Sequence, residues 1–228
     1  MLHTIEGMTA TESSRCPGCG TVRQAYAHPL DLCPTCLFTT ALSIDDEPCP
    51  YQVVAPIGEG PGSVTYLAQA LAGARGYVAL KVHGPRDDAE AVLARYQRWK
   101  PALDAVRHPS VAKLLGIGLT ADGRLYAASE YVAGWPLTAL GSRVSVGINE
   151  RAEMARQLTG AIDTAHAAGV VHLTLDPSKV KISTANGPHA TILGLGSSLI
   201  VDGADGPPDV DRIALARIIR ELGIGGEH

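Results

Sequence analysis

The residues best suited to chemistry come first in the chain. Cys16-Pro17-Gly18-Cys19 and Cys33-Pro34-Thr35-Cys36 form two C-x-x-C pairs, the one clear internal repeat. Each pair makes a tight turn that can aim two thiolates at one ion, and two such turns complete a tetrahedron. A single C-x-x-C would also fit a redox pair or free thiols; two of them, each with a proline after the first cysteine, point to zinc. With Cys at all four positions no coordination site is left for water. Zinc on Cys16, Cys19, Cys33 and Cys36 would therefore be structural, not catalytic. A segment this small cannot fold on its own core, and a structural zinc contributes roughly 10–16 kcal/mol of apparent binding energy. Of the five cysteines, Cys49 is left over and is expected to be a free thiol; His28 is expected to be a loop residue.

The elements that follow must be built mostly from aliphatic residues. Hydrophobic residues make up 46% of the 228, enough for a real core, yet Phe38 is the single Phe. The net charge of −4 gives no general attraction to nucleic acid or to acidic membranes. No apolar run is long enough to span a bilayer, and Met1 to Arg15 shows no basic-then-apolar leader pattern. A soluble, cytoplasmic protein is expected. Tyr51 to Leu67 is strand-like, interrupted at Gly58-Glu59-Gly60-Pro61-Gly62-Ser63-Val64, and Arg75 to Val82 is a second strand. Asp87 to Lys100 has helical spacing, with Pro101 expected to end or bend it. Val111 to Leu119 and Arg124 to Val132 form a strand pair turning at Ala121-Asp122-Gly123. Glu150 to Ala168 is a long helix stopped by Gly169. Two short strands, Val180 to Ser183 and Ala190 to Leu193, precede an amphipathic helix over Asp209 to Leu222.

From Tyr51 to Leu222 this order of motifs resembles the eukaryotic-like Ser/Thr protein kinases of bacteria. "YQVVAPIGEGPGSVTYLA" is similar to the phosphate-covering loop and "YVALKV" to the strand bearing the ATP-binding Lys, here Lys81. "LYAASEYVAGWPL" is similar to the hinge, with Ser129 as gatekeeper, and "AHAAGVVHLTLDPSKVKI" to the catalytic loop. The resemblance implies an α+β, two-lobed protein-kinase-like fold. It would comprise a five-stranded N-terminal lobe sheet with one helix and a shortened, mainly α-helical C-terminal lobe, preceded by a small zinc ribbon. The expected domains are a flexible N terminus over 1–14, the ribbon over 15–42, a linker over 43–50, the N-lobe over 51–133 and the truncated C-lobe over 134–228.

Against the kinase pattern, the residues depart position by position. In H-R-D-L-x-x-x-N the Asp is the base and the Asn a magnesium ligand; here the positions hold Thr174 and Lys179. The D-F-G that supplies a second metal ligand reads Gly194-Leu195-Gly196. The helix acid that pairs with the Lys falls on Trp99. Gly58, Gly60 and Gly62 approximate the glycine pattern with one residue missing before Val64. Lys181 falls where an aliphatic side chain underlies the adenine, a costly place for a charge unless it snorkels out. Asp176 is expected to act as a cap, His172 as a core residue, and Asp211 as the tie for the catalytic-loop backbone. Only Ser197 to Pro208 separates Gly196 from the last helix.

These departures lead to the expectation of a catalytically inactive pseudokinase, not an enzyme, serving as a protein-binding scaffold or regulatory subunit. Its cofactor would be structural zinc, with neither ATP nor magnesium expected. The expected partner is another protein or a second copy, met through Val210, Ile213, Ile218 and Ile219, and not a membrane or nucleic acid. One alternative is an atypical nucleotide-binding transferase using the kinase-like cleft, with Lys81 and the glycines as its support. The other is nucleic-acid binding through the ribbon, for which there is no basic stripe with aromatics.

Overall fold

A computed structural model describes residues 42–43, 51–70, 76–120 and 123–224. The four C-x-x-C cysteines, and with them the expected zinc ribbon, lie outside these residues. In chain order the strands are β1 (Leu42–Ser43), β2 (Tyr51–Gly60), β3 (Ser63–Ala70), β4 (Tyr77–His83), β5 (Leu114–Leu119), β6 (Leu125–Glu130), β7 (Trp135–Pro136), β8 (Val180–Ser183) and β9 (His189–Ile192). The helices are α1 (Ala89–Ala105), α2 (Ile148–Ala167) and α3 (Asp209–Glu221).

β2 and β3 form an antiparallel hairpin that turns on Pro61-Gly62. The pairing shifts register between Val53 and Ala55 and between Pro56 and Gly58, then continues through Gly58 and Gly60, so the glycine segment forms the end of the hairpin and its turn. Gly62 takes φ 66, a conformation an L side chain resists. Its carbonyl accepts the N–H of Gly84 at 2.8 Å, which pins the hairpin tip to the end of β4. The sheet order is β1-β5-β6-β4-β3-β2, so Leu42–Ser43 adds a sixth strand to the five expected. Alternate residues of β4, Val78, Leu80 and Val82, are buried with Val64, Tyr66 and Tyr126 in one apolar cluster. The two-residue period therefore sends Ala79, Lys81 and His83 to the opposite face.

α1 differs from its expected end. It contains Pro101 and continues to Ala105. The proline removes one backbone donor, but Ala102 and Leu103 pack on a buried cluster with Val106 and Leu195, and Lys100 bridges Asp104 at 2.7 Å across the proline. Tertiary packing holds the last turn where propensity alone would end it.

The larger core lies below, between α2, α3 and the sheet β7-β8-β9. Met154, Leu158, Ile162, Val180, Ile182, Ile192, Leu215, Ile218 and Leu222 share it. α2 ends as expected, with Gly169 at φ 75. The expected interface on α3 needs correction. Val210 and Ile213 are exposed, but Ile218 is only 1% exposed and Ile219 packs against the same core. The helix turns those two inward onto α2, so half of the proposed patch is core. No helix among the described residues is long and apolar enough to cross a membrane.

Candidate functional site

The pleat of β4 presents Lys81 half-buried in the cleft between the sheet and the helical region. Burial lowers its pKa, and the carboxylate of Asp202 works against that shift. Asp202 ends a π-helical turn, Ser198–Asp202, that lies directly after Gly194-Leu195-Gly196. Two guanidinium groups fix this turn. Arg95 Nε donates to the carbonyl of Ile200 at 2.6 Å, and Arg86 Nη2 and Arg95 Nη2 donate to that of Val201 at 3.0 and 3.3 Å. Asp88 accepts from both arginines, at 2.8 Å from Arg86 Nε and 3.4 Å from Arg95 Nη2. The acid beside Lys81 thus comes from the short segment after β9 and not from α1. Trp99, at the position of the helix acid, is partly buried and packs on the apolar clusters to either side of α1.

The loop from His172 to Lys179 is built as a rigid bracket. Asp211, fully buried on α3, accepts the N–H groups of His172 and Leu173 at 2.7 Å each and contacts His166 Nε2 at 2.9 Å. His172 is 1% exposed, with Nε2 2.9 Å from the carbonyl of Leu193. Asp176 accepts the N–H of Ser178 at 2.7 Å and so caps the 3₁₀ turn Pro177–Lys179. All three act as the sequence led one to expect. Thr174 is exposed, its hydroxyl 2.9 Å from that of Ser198.

Lys179 donates to the carbonyl of Thr174 at 2.6 Å and lies 3.9 Å from Asp176. Burial lowers its pKa, Asp176 and Asp202 oppose the shift, and the charge of Lys81 adds to it. The two ammonium groups therefore bear on one region of the cleft. Magnesium does not fit this donor set: one ligand position carries the cation Lys179, and the other, Gly194, has no side chain. Among the described residues no group of three His, Cys, Asp or Glu could hold a metal ion.

Lys181 does snorkel. Its Nζ donates to the carbonyl of Gly134 at 3.1 Å, so the charge is drawn along the β7–β8 edge and not left facing an adenine position. Ser129 sits opposite Ala79 in the β4–β6 pair. Gly58 and Gly60 flank the hairpin tip, and a cavity of ≈ 330 Å³ opens beneath that tip, with Gly62, Ser63, Lys81, His83, Arg86 and Asp202 in its wall. Sequence reading singled out Lys81 and the glycines but missed Asp202, His83, Arg86 and Arg95. Their positions depend on how the segment after β9 folds back against α1, and no local pattern encodes that.

No protein-family model matches the chain. It is 34% identical over 168 residues to the serine/threonine-protein kinase pkn3 of Myxococcus xanthus, covering 71% of this chain and 30% of that protein. It is 26% identical over 157 residues to the probable serine/threonine-protein kinase PknB of Lactococcus lactis, covering 65% of this chain and 24% of that protein. The chain thus spans less than a third of the length of these relatives. Among solved structures, the PknI kinase domain of Mycobacterium tuberculosis superposes with a TM-score of 0.61 at 25% identity, over 86% of this chain and 80% of that one. These relatives are named as kinases, which are enzymes, and this overturns the expectation that the chain is not an enzyme. The chain has the fold of a protein kinase domain and is similar in sequence to bacterial Ser/Thr kinases.

Proposed function

We infer that the cleft is the nucleotide site of an atypical kinase-like phosphotransferase. The observation that carries this reading is the convergence of Lys81 and Asp202 beneath a glycine-bearing hairpin tip, with Lys179 near enough for the charge of Lys81 to act on it. Phosphoryl transfer depends on positioning and on neutralising the charge of the phosphates. Relatives of the kinase type use divalent cations for much of that neutralisation; here two ammonium groups would carry it. Lys81 and Lys179 would hold phosphate oxygens, Gly60 and Gly62 would let the hairpin backbone approach them, and Asp202 would supply a carboxylate in the wall of the same cavity as Lys81. The snorkelled Lys181 leaves the floor of the base-binding region free of a facing charge. The nucleoside triphosphate would supply the transferable phosphoryl group.

The test is transfer of label from γ-labelled ATP to the chain itself or to an added protein, with and without magnesium, beside thermal unfolding. The expected result is a raised unfolding midpoint with ATP even when magnesium is chelated, and label transfer that Lys81→Ala abolishes. An unfolding midpoint that saturating ATP leaves unmoved, together with no transfer, overturns the reading.

A regulatory, protein-binding role for the same domain is the second reading. It is favoured by Thr174 and Gly194, which bring no carboxylate to the cleft, and by the exposed apolar side chains of Val210 and Ile213 on α3. The zinc ribbon on Cys16, Cys19, Cys33 and Cys36 remains part of the proposal, as a structural module.

A further inference from the structure

His83 is the side chain the cleft chemistry has not yet used. It is 8% exposed and lies on the same face of β4 as Lys81. Its Nε2 is buried without a hydrogen-bond partner. The residue lines the ≈ 330 Å³ cavity beneath the hairpin tip, in a wall that also holds Lys81, Arg86 and Asp202. A buried polar nitrogen left unpaired is costly. Of the charged side chains in the wall, two are cations and one is a carboxylate, so the cavity favours an anion. The hairpin tip that roofs it is fixed by the Gly84–Gly62 bond, so the shape is preorganised.

We propose that this cavity is an oxyanion subsite in which His83 Nε2, Lys81 and Arg86 receive the terminal phosphate of the ligand held in the cleft. The proposal rests on the nucleotide reading of that cleft. A neutral imidazole donates one N–H to a phosphate oxygen, while the ammonium and guanidinium supply charge. Arg86 keeps its bonds to Asp88 and to the Val201 carbonyl, which aim it without using every donor. The subsite gives a preference for nucleotides with longer phosphate chains, because it receives the phosphate at the end of the chain far from the base, and AMP has only the phosphate next to the base.

Titration calorimetry of the full chain with ATP, AMP, inorganic phosphate and inorganic tripolyphosphate tests this, run beside ¹⁵N-histidine NMR of the His83 ring. ATP and tripolyphosphate should move the His83 Nε2 resonance and AMP should not. His83→Leu should weaken ATP and tripolyphosphate by about tenfold, the loss of one hydrogen bond to a charged group, with AMP affinity unchanged. If that variant does not fold, the wild-type NMR shift and the Arg86→Met variant, which should show the same selective loss, decide the matter. ATP binding that Lys81→Ala removes, with the His83 resonance unmoved, overturns the subsite and leaves the cleft reading intact. Tripolyphosphate moving His83 while ATP binds nowhere supports the subsite and overturns the nucleotide reading. Inorganic phosphate binding as tightly as ATP overturns the assignment to the tail of a nucleotide.

Discussion

Asp211 and His83 show the two ways this chain handles buried polar groups. Asp211 is fully buried and fully used: two backbone N–H groups and a histidine nitrogen converge on its oxygens. Those bonds hold Leu173 at φ 66, the one non-glycine residue with positive φ among those described, so the strain is local and braced. His83 is buried with a nitrogen left over. Burial first, then the nearby charges of Lys81 and Arg86, push its pKa from 6.5 down to about 4. The unfolded chain therefore takes up the proton before the folded chain does. As pH falls from about 6.5 to about 4, stability is lost, on the order of 3 kcal/mol from this residue, and below about 4 the loss stops growing. His172 and His108 shift in the same direction, chiefly through burial, and add to the slope. Urea midpoints measured across this range should fall with acid in the wild type and fall less steeply in His83→Leu. Equal slopes would show that the imidazole is not held neutral by its surroundings.

Among the elements, α3 separates core from surface within a single helix. Ile218 is packed against α2 and the small sheet, whereas Ile213 is 58% exposed. Ile218→Ala should cost about 2–5 kcal/mol by opening a cavity, and Ile213→Ser should stay within about 0.5 kcal/mol. Denaturant unfolding of the two variants checks this; comparable losses would mean that Ile213 is covered in solution and that the exposed apolar face is an interface after all. The amphipathic pattern of Asp209 to Leu222 was legible in sequence, but which of its apolar residues face inward was not, because the stripe is wider than the contact that α2 offers. α2, β8 and β9 were likewise legible, since periodicity and a stop glycine mark them locally. Pro101 misled because its effect is local and the packing that overrides it is not. The π-helical turn Ser198–Asp202 was invisible for the same reason: arginines from α1 and from the segment after β4 hold it, not its own sequence. So the motif positions Lys81, His172, Thr174 and Lys179 could be placed from sequence, while Asp202 and His83 could not.

Across the whole molecule, the chain downstream of the four cysteines joins the kinase-like body at one edge of the sheet. Leu42–Ser43 pairs antiparallel with Leu119 and Gly118 of β5, and β5 is otherwise an edge strand. A two-residue strand makes few hydrogen bonds, so a restriction on the chain beside it would help to hold it there. Cys33 and Cys36 precede it closely in sequence, and a zinc ion closing the two C-x-x-C turns would supply that restriction by fixing the segment from which β1 emerges. The sheet beyond does not depend on it, because Val64, Tyr66, Leu80 and Tyr126 are buried among themselves. Zinc removal should then act in two tiers. Elemental analysis should find about one zinc per chain, and a Cys33→Ser, Cys36→Ser double variant should lose it. Hydrogen exchange should quicken at Leu42 and Ser43 and along the exposed β5 edge, while amides of β3 and β4 keep their protection. A metal-free chain with β1 as slow to exchange as in the wild type would show that the cysteines hold nothing in place. Loss of protection throughout β3 and β4 would show instead that the ribbon is part of the body's fold.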